Sequence, residues 1–188
     1  MKKLLKGKKG YIKYIKKRNL KMSILEAFIL LIIYMVGIEK YGTPKNVFTI
    51  IAIVGVLPFA RAFVQFILVV KFKGISGNIY KEIEKHIKDY TAIYELPFST
   101  SSKVYCIQAA VIKSNNAYFY IEDKNVDEGR IYEYLLEFMI SSGFSNARVR
   151  ISTKPEDFLS QIRQIDSFAV RNEKLEKDIS KALLTQLV

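Results

Sequence analysis

Met22–Ile38 (MSILEAFILLIIYMVGI) and Val47–Val70 (VFTIIAIVGVLPFARAFVQFILVV), joined by Glu39–Asn46 (EKYGTPKN), decide the fold. At about 1.5 Å per helical residue the two apolar stretches reach roughly 25 Å and 36 Å, against a hydrocarbon core of ~30 Å. The first is just long enough to cross and the second has length to tilt. The link is short, polar and carries Gly42 and Pro44, so the two stretches are expected to run antiparallel as a helical hairpin. A cleaved signal peptide fits poorly. The charged region before the first stretch is too long, no small-x-small cleavage site follows, and a second apolar stretch comes almost at once.

Charge places the hairpin. The chain carries 30 Lys and Arg against 18 Asp and Glu, a formal net charge of +12. Residues 1–21 hold 10 of the basic residues and no acid, so the remainder has 20 basic against 18 acidic side chains. The excess is therefore a juxtamembrane feature. Generic electrostatic binding of nucleic acid by the rest of the chain is not expected. The basic start, with Lys71 and Lys73 after the second stretch, outweighs Lys40 and Lys45 in the turn, which predicts cytoplasmic N- and C-termini and a two-helix protein of the cell membrane. Tyr34 and Tyr41 suit the outer interface. Lys13, Lys16, Lys17, Arg18 and Lys21 are expected to face anionic lipid headgroups, at about 1 kcal/mol each near a charged leaflet. Tyr11, Ile12, Tyr14 and Ile15 between the charges suit an interfacial helix.

Three residues break the apolar pattern: Glu26, Pro58 and Arg61. A charge at mid-span costs on the order of 3 kcal/mol on insertion scales. Gln65 lies one turn beyond Arg61 on the same face. An Arg61–Glu26 pair across the hairpin, assisted by Gln65, would lower that cost. Pairing within an oligomer would do the same. Ala52 and Gly55 offer small surfaces for close helix approach.

Gly74–Asn78 lies at the join to the following domain. Four parts are expected: a basic tail over 1–21, the hairpin over 22–72, a linker over 73–77 and an α/β domain over 78–188. Within the last, Ile79, Ile83 and Ile87 recur at four-residue spacing and predict a helix over 78–90. Strands are expected over 92–100, 103–112 and 117–122. Pro97 marks the first as an edge strand, and the second is apolar on both faces and so central. Lys113–Asn116 is the hairpin loop between the second and third. A helix over 130–142 ends at Gly143, and a strand over 146–151 alternates Ala147, Val149 and Ile151 with Arg148 and Arg150. Thr153–Glu156 has the form of a capping box with an early proline, and opens a helix with Phe158, Leu159, Ile162 and Ile165. A last amphipathic helix is expected near 170–187. The order is α-β-β-β-α-β-α-α, an α/β (α+β) soluble domain behind a membrane α-helical hairpin.

Catalytic constellations are sparse. The chain has no glycine-rich phosphate loop and no Cys/His cluster. Cys106 lies in an apolar run and is expected to be a buried core thiol. His86, the one histidine, sits among charged residues of a helix and is expected at the surface. No cofactor and no metal is assigned. One hairpin carries a pattern: Cys106–Ile112 (CIQAAVI), the turn at Asn115 and Asn116, and Tyr118–Lys124 (YFYIEDK). With the α-β-β-β-α-β order, it resembles the core of restriction-endonuclease-like folds, including the nuclease-related NERD domain. That resemblance implies a divalent metal held by an acidic residue on the second strand and a Glu-x-Lys ending the third. Glu122 and Lys124 match the Glu-x-Lys, while the expected aspartate falls at Gln108, which cannot offer an anionic oxygen pair. The whole chain, with its Lys-rich start, Tyr41-Gly42-Thr43 and Asn46 in the turn and Val56-Leu57-Pro58, resembles small two-helix membrane proteins of Gram-positive gut bacteria. That resemblance implies no activity.

The expectation from sequence is a membrane-anchored, non-enzymatic module that presents its α/β domain to a protein partner or to a second copy of itself. The alternative is a divergent, membrane-tethered, metal-dependent nuclease-like domain using Glu122 and Lys124.

Overall fold

The computed structural model describes residues 6–85, 90–100, 103–123, 126–165 and 171–185. It falls into two compact units. One comprises Lys13–Lys71, and the other combines the N-terminal residues through Ile12 with Phe72–Val188.

The first unit is a pair of helices. α1 runs from Tyr11 to Tyr41 and α2 from Val47 to Val70. Asn46 caps α2 by accepting the Thr49 N–H at 3.0 Å. Both helices are long and apolar enough to cross a membrane. Only 11% and 6% of their most apolar windows are buried, whereas a core helix of a soluble protein would be mostly covered. The helices meet at glycines. A Cβ at Gly55 would strike the tip of Leu30, and one at Gly37 would lie 2.7 Å from Asn46 Oδ1. The small surface expected at Gly55 is thus used, and Gly37 adds a second. α1 begins eleven residues ahead of the apolar stretch, so Tyr11–Ile15 is the first part of that long helix and not a separate interfacial one.

The second unit is a four-stranded mixed sheet with helices on both faces. Its elements are α3 (Gly77–Lys85), β1 (Thr91–Ser99), β2 (Val104–Lys113), β3 (Asn116–Tyr120), α4 (Glu128–Ser141), β4 (Arg148–Ser152), α5 (Pro155–Ile165) and α6 (Glu173–Thr185). The expected order α-β-β-β-α-β-α-α is the observed one. Strands lie side by side as β1-β2-β3-β4. β1–β2 and β2–β3 are antiparallel hairpin pairs, while β3–β4 is parallel and takes α4 as its crossover. β2 is buried on both faces and β1, with Pro97, is an edge strand, as their residue patterns imply.

Two cores follow from strand alternation. Ala110, Ile112, Ala117, Phe119 and Val149 point toward α4 and α6, where they meet Ile131, Leu135, Met139, Ile179 and Leu183. Ala109, Val111, Tyr118 and Tyr120 point the other way, toward Ile79, Ile83, Phe158 and Ile162 of α3 and α5. Gly143, at φ +88°, ends α4 with the Phe144 N–H bonded to Met139 O at 2.8 Å. The capping box expected at Thr153–Glu156 does not form. Pro155 takes the first helical position, which leaves Lys154 as the cap, and the Thr153 hydroxyl donates to Glu128 Oε1 at 2.7 Å instead.

Residues 7–12 pack against the β1 edge of the sheet. Gly7 is buried at φ +80°, where a side chain would meet Leu184, and its carbonyl accepts the Tyr94 N–H at 2.8 Å. Lys9 Nζ lies 4.2 Å from the Tyr80 ring centroid. The Glu95 carboxylate accepts from Gly10 N at 2.9 Å and Ile12 N at 2.8 Å. Glu95 is 2% exposed, and its backbone is left-handed at φ +54°. A charge at that burial is held by the two amide dipoles at the start of α1.

Candidate functional site

Strand pairing brings Gln108 and Glu122 together. β2 and β3 register as Ala109 with Tyr120, so the residues one step outward, Gln108 and Ile121, face each other and Glu122 follows. The buried Gln108 side chain accepts the Glu122 N–H at 2.7 Å through Oε1. Its carbonyl is therefore spent on the backbone. Glu122 and Asp123 are exposed, and Lys124 lies outside the described residues. Burial, with the Glu122 charge adding to it, pushes the Tyr120 phenol up to about 12. Among the described residues, no three His, Cys, Asp or Glu side chains converge on a metal-sized point. Cys106 is buried, as its apolar run implies, and His86 lies outside the described residues.

The apolar helices do not pair Glu26 with Arg61. Gly55 faces α1, and Arg61, six residues on, is rotated ~120° from that face at about 100° per residue. Arg61 is exposed, and Gln65 one turn later is half-buried. Glu26, one turn before Leu30, lies on the helix-contact face, and its Oε2 is buried with no hydrogen-bond partner. The expected pairing took account of depth along the helices but not of rotation about them. Of the basic residues, Lys13, Lys17, Arg18 and Lys21 are exposed and Lys16 is half-covered, around a helix whose Ile15, Asn19 and Ser23 are buried at four-residue spacing.

Two surface features of the α/β unit were not singled out from sequence. The first is a stripe on the outer face of α4. Tyr132 and Ile140 are 43% and 53% exposed, with half-buried Leu136 between them at four-residue spacing. The second is a polar cleft of about 520 Å³, lined by Ser114, Asn115, Asn116, Asn146 and Arg148. The β2–β3 turn supplies the first three, and the start of β4 with the loop before it supplies the others. Arg148 N–H bonds to Asn115 O at 2.7 Å, which fixes the turn against β4. From behind, the fully buried Glu176 accepts Ser114 N at 3.1 Å, the Thr91 hydroxyl at 2.9 Å and Arg171 Nε at 3.3 Å. The signal for the cleft was present as a turn rich in Asn beside an alternating Arg strand, but only the parallel β3–β4 pairing places the two together.

No protein-family model, curated protein or solved structure matches the chain. The two resemblances drawn from the residues gain nothing from these comparisons.

Proposed function

We propose that the chain is a membrane-anchored, non-enzymatic interaction module, with the hairpin of α1 and α2 in the cell membrane and the α/β unit presented in the cytoplasm. One observation carries the reading. The α/β unit is built around the first residues of α1, with Glu95 capping the same helix that continues as an apolar span of membrane length. The α/β unit is joined in sequence to the two helices at both Ile12 and Phe72. The exposed Tyr132–Leu136–Ile140 stripe supplies an apolar contact surface for a protein partner or a second copy, of the kind that aromatic anchors dominate. The uneven distribution of lysine supports cytoplasmic termini.

The test is cross-linking in native membranes with a photoreactive residue at Tyr132, alongside thiol labelling of cysteines placed at residues 8 and 43. Adducts from Tyr132, together with labelling of position 43 alone from outside intact cells, are expected. A chain that stays monomeric and captures nothing, or that washes off with carbonate, overturns the reading.

A second reading, the divergent metal-dependent nuclease, rests on strand pairing that sets the Gln108 position beside Glu122. Mg²⁺ or Mn²⁺ titration of the full chain in detergent, with DNA present, decides it. Silence in binding and cleavage, unchanged by Glu122→Ala, removes it.

A further inference from the structure

We infer that the cleft between the β2–β3 turn and the start of β4 binds a phosphate monoester, with Arg148 as its principal ligand. Asn116 pairs in register with Arg148 and Tyr118 with Arg150, so both arginines lie on one face of the edge strand beside the asparagine-rich turn. Neither has a carboxylate partner among the described residues. The nearby carboxylate, Glu176, is fully buried and its charge is met by Arg171 at 3.3 Å. Buried Lys113, opposite Asn116 across the hairpin, is directed away from the cleft to the Ile165 carbonyl at 3.3 Å.

The lining is therefore one guanidinium fork, three carboxamides and a hydroxyl, with a second guanidinium alongside and no acid. The Arg150 guanidinium lies 5.8 Å from the Tyr118 ring centroid, which orients it along the strand. A planar fork matches two oxygens of a tetrahedral anion, and the carboxamide N–H groups can serve the third. Two arginines without counter-charge suit a dianion better than a monovalent carboxylate. The size admits a small phosphorylated molecule, and the openness equally admits a lipid headgroup carrying a terminal phosphate.

Full-length protein in neutral-detergent micelles is titrated calorimetrically with inorganic phosphate at constant ionic strength. Parallel nanodiscs of phosphatidylcholine, with and without phosphatidic acid, are compared by amide exchange at residues 114–116. Saturable phosphate binding, weakened at least tenfold by Arg148→Gln, less by Arg148→Lys and not by Arg130→Gln, assigns a soluble phosphate monoester. Arg148-dependent protection by phosphatidic acid, with little response to free phosphate, assigns the headgroup. Because Arg148 is exposed, its substitution leaves both cores intact, and an unchanged thermal midpoint verifies this. Response to neither probe, or a response indifferent to Arg148→Gln, overturns the inference.

Discussion

At φ +54° Glu95 gives up ordinary strand geometry, and its buried carboxylate receives two backbone N–H groups that α1 cannot satisfy for itself. Left-handed backbone costs a non-glycine residue about 1 kcal/mol, while hydrogen bonds to a charged acceptor contribute about 1.5–3 kcal/mol each. The bonds win. Glu95→Ala keeps the strain and strands both amides, so equilibrium unfolding in detergent is expected to show a loss of about 3 kcal/mol, on the scale of buried unsatisfied donors. Glu95→Gln, which retains one acceptor, should lose roughly half as much. A loss below ~1 kcal/mol for the alanine variant would show that water serves these amides equally well. Tyr120 gives a second expectation. Its phenol is held at about 12 in the folded chain, mainly by burial and then by Glu122, against ~10 when unfolded. The native state thus keeps a proton that the unfolded state releases between those values. The contribution is complete below pH 10 and is lost as pH rises toward 12. Tyr94 acts with the same sign, raised by burial and by its 2.7 Å bond to Glu84. Alkaline unfolding, followed by tyrosinate absorbance and circular dichroism together, should be shallower in Tyr120→Phe.

At the scale of elements, what could be read from the sequence was whatever repeats at short range. Four-residue spacing in α3 and α4, two-residue alternation in β4 and the turn chemistry of Lys113–Asn116 each declare themselves within one element. Rotation about a helix axis is less visible, because it matters only relative to a neighbour. That is why Glu26 and Arg61, offset along the axis and expected to pair through extended side chains or a kink at Pro58, do not. The same geometry specifies which positions do face each other. Leu30 Cγ lies 3.6 Å from where a Cβ at Gly55 would stand, and a cysteine at 30 places its sulfur near that point. With Cys106 replaced by Ser, the Leu30→Cys/Gly55→Cys chain should form an intramolecular disulfide in most molecules under mild oxidation, since the two Cβ atoms fall within bridging reach. Arg61→Cys in place of Gly55→Cys should give almost none. Equal yields from the two pairs would mean that the helices do not hold this face-to-face arrangement.

At the scale of the whole chain, the α/β unit is discontinuous in sequence, and nothing short-range signals it. Gly7 meets Tyr94, and Gly10 meets Glu95, across more than eighty residues, so no periodicity or composition shift betrays the contact. The lysines around those residues read as a membrane tail because charge is conspicuous, whereas a glycine carbonyl on a strand edge is silent. The consequence is physical. A fragment of residues 72–188 retains every strand and helix of the unit but exposes the β1 edge and leaves Glu95 buried without its two donors. An uncompensated buried carboxylate costs several kcal/mol, and a bare edge strand invites association. The fragment is therefore expected to unfold at least 10 °C below a fusion in which residues 6–12 are restored through a flexible linker, the span of a few kcal/mol in a domain of this size. It should also elute as larger species on gel filtration. A synthetic peptide of residues 1–14, added in excess, should recover part of the difference, and the same peptide with Gly7→Val should not, because that side chain would collide with Leu184. If the bare fragment matched the fusion in melting temperature and stayed monomeric, the N-terminal segment would be an accessory to the sheet and not a component of it.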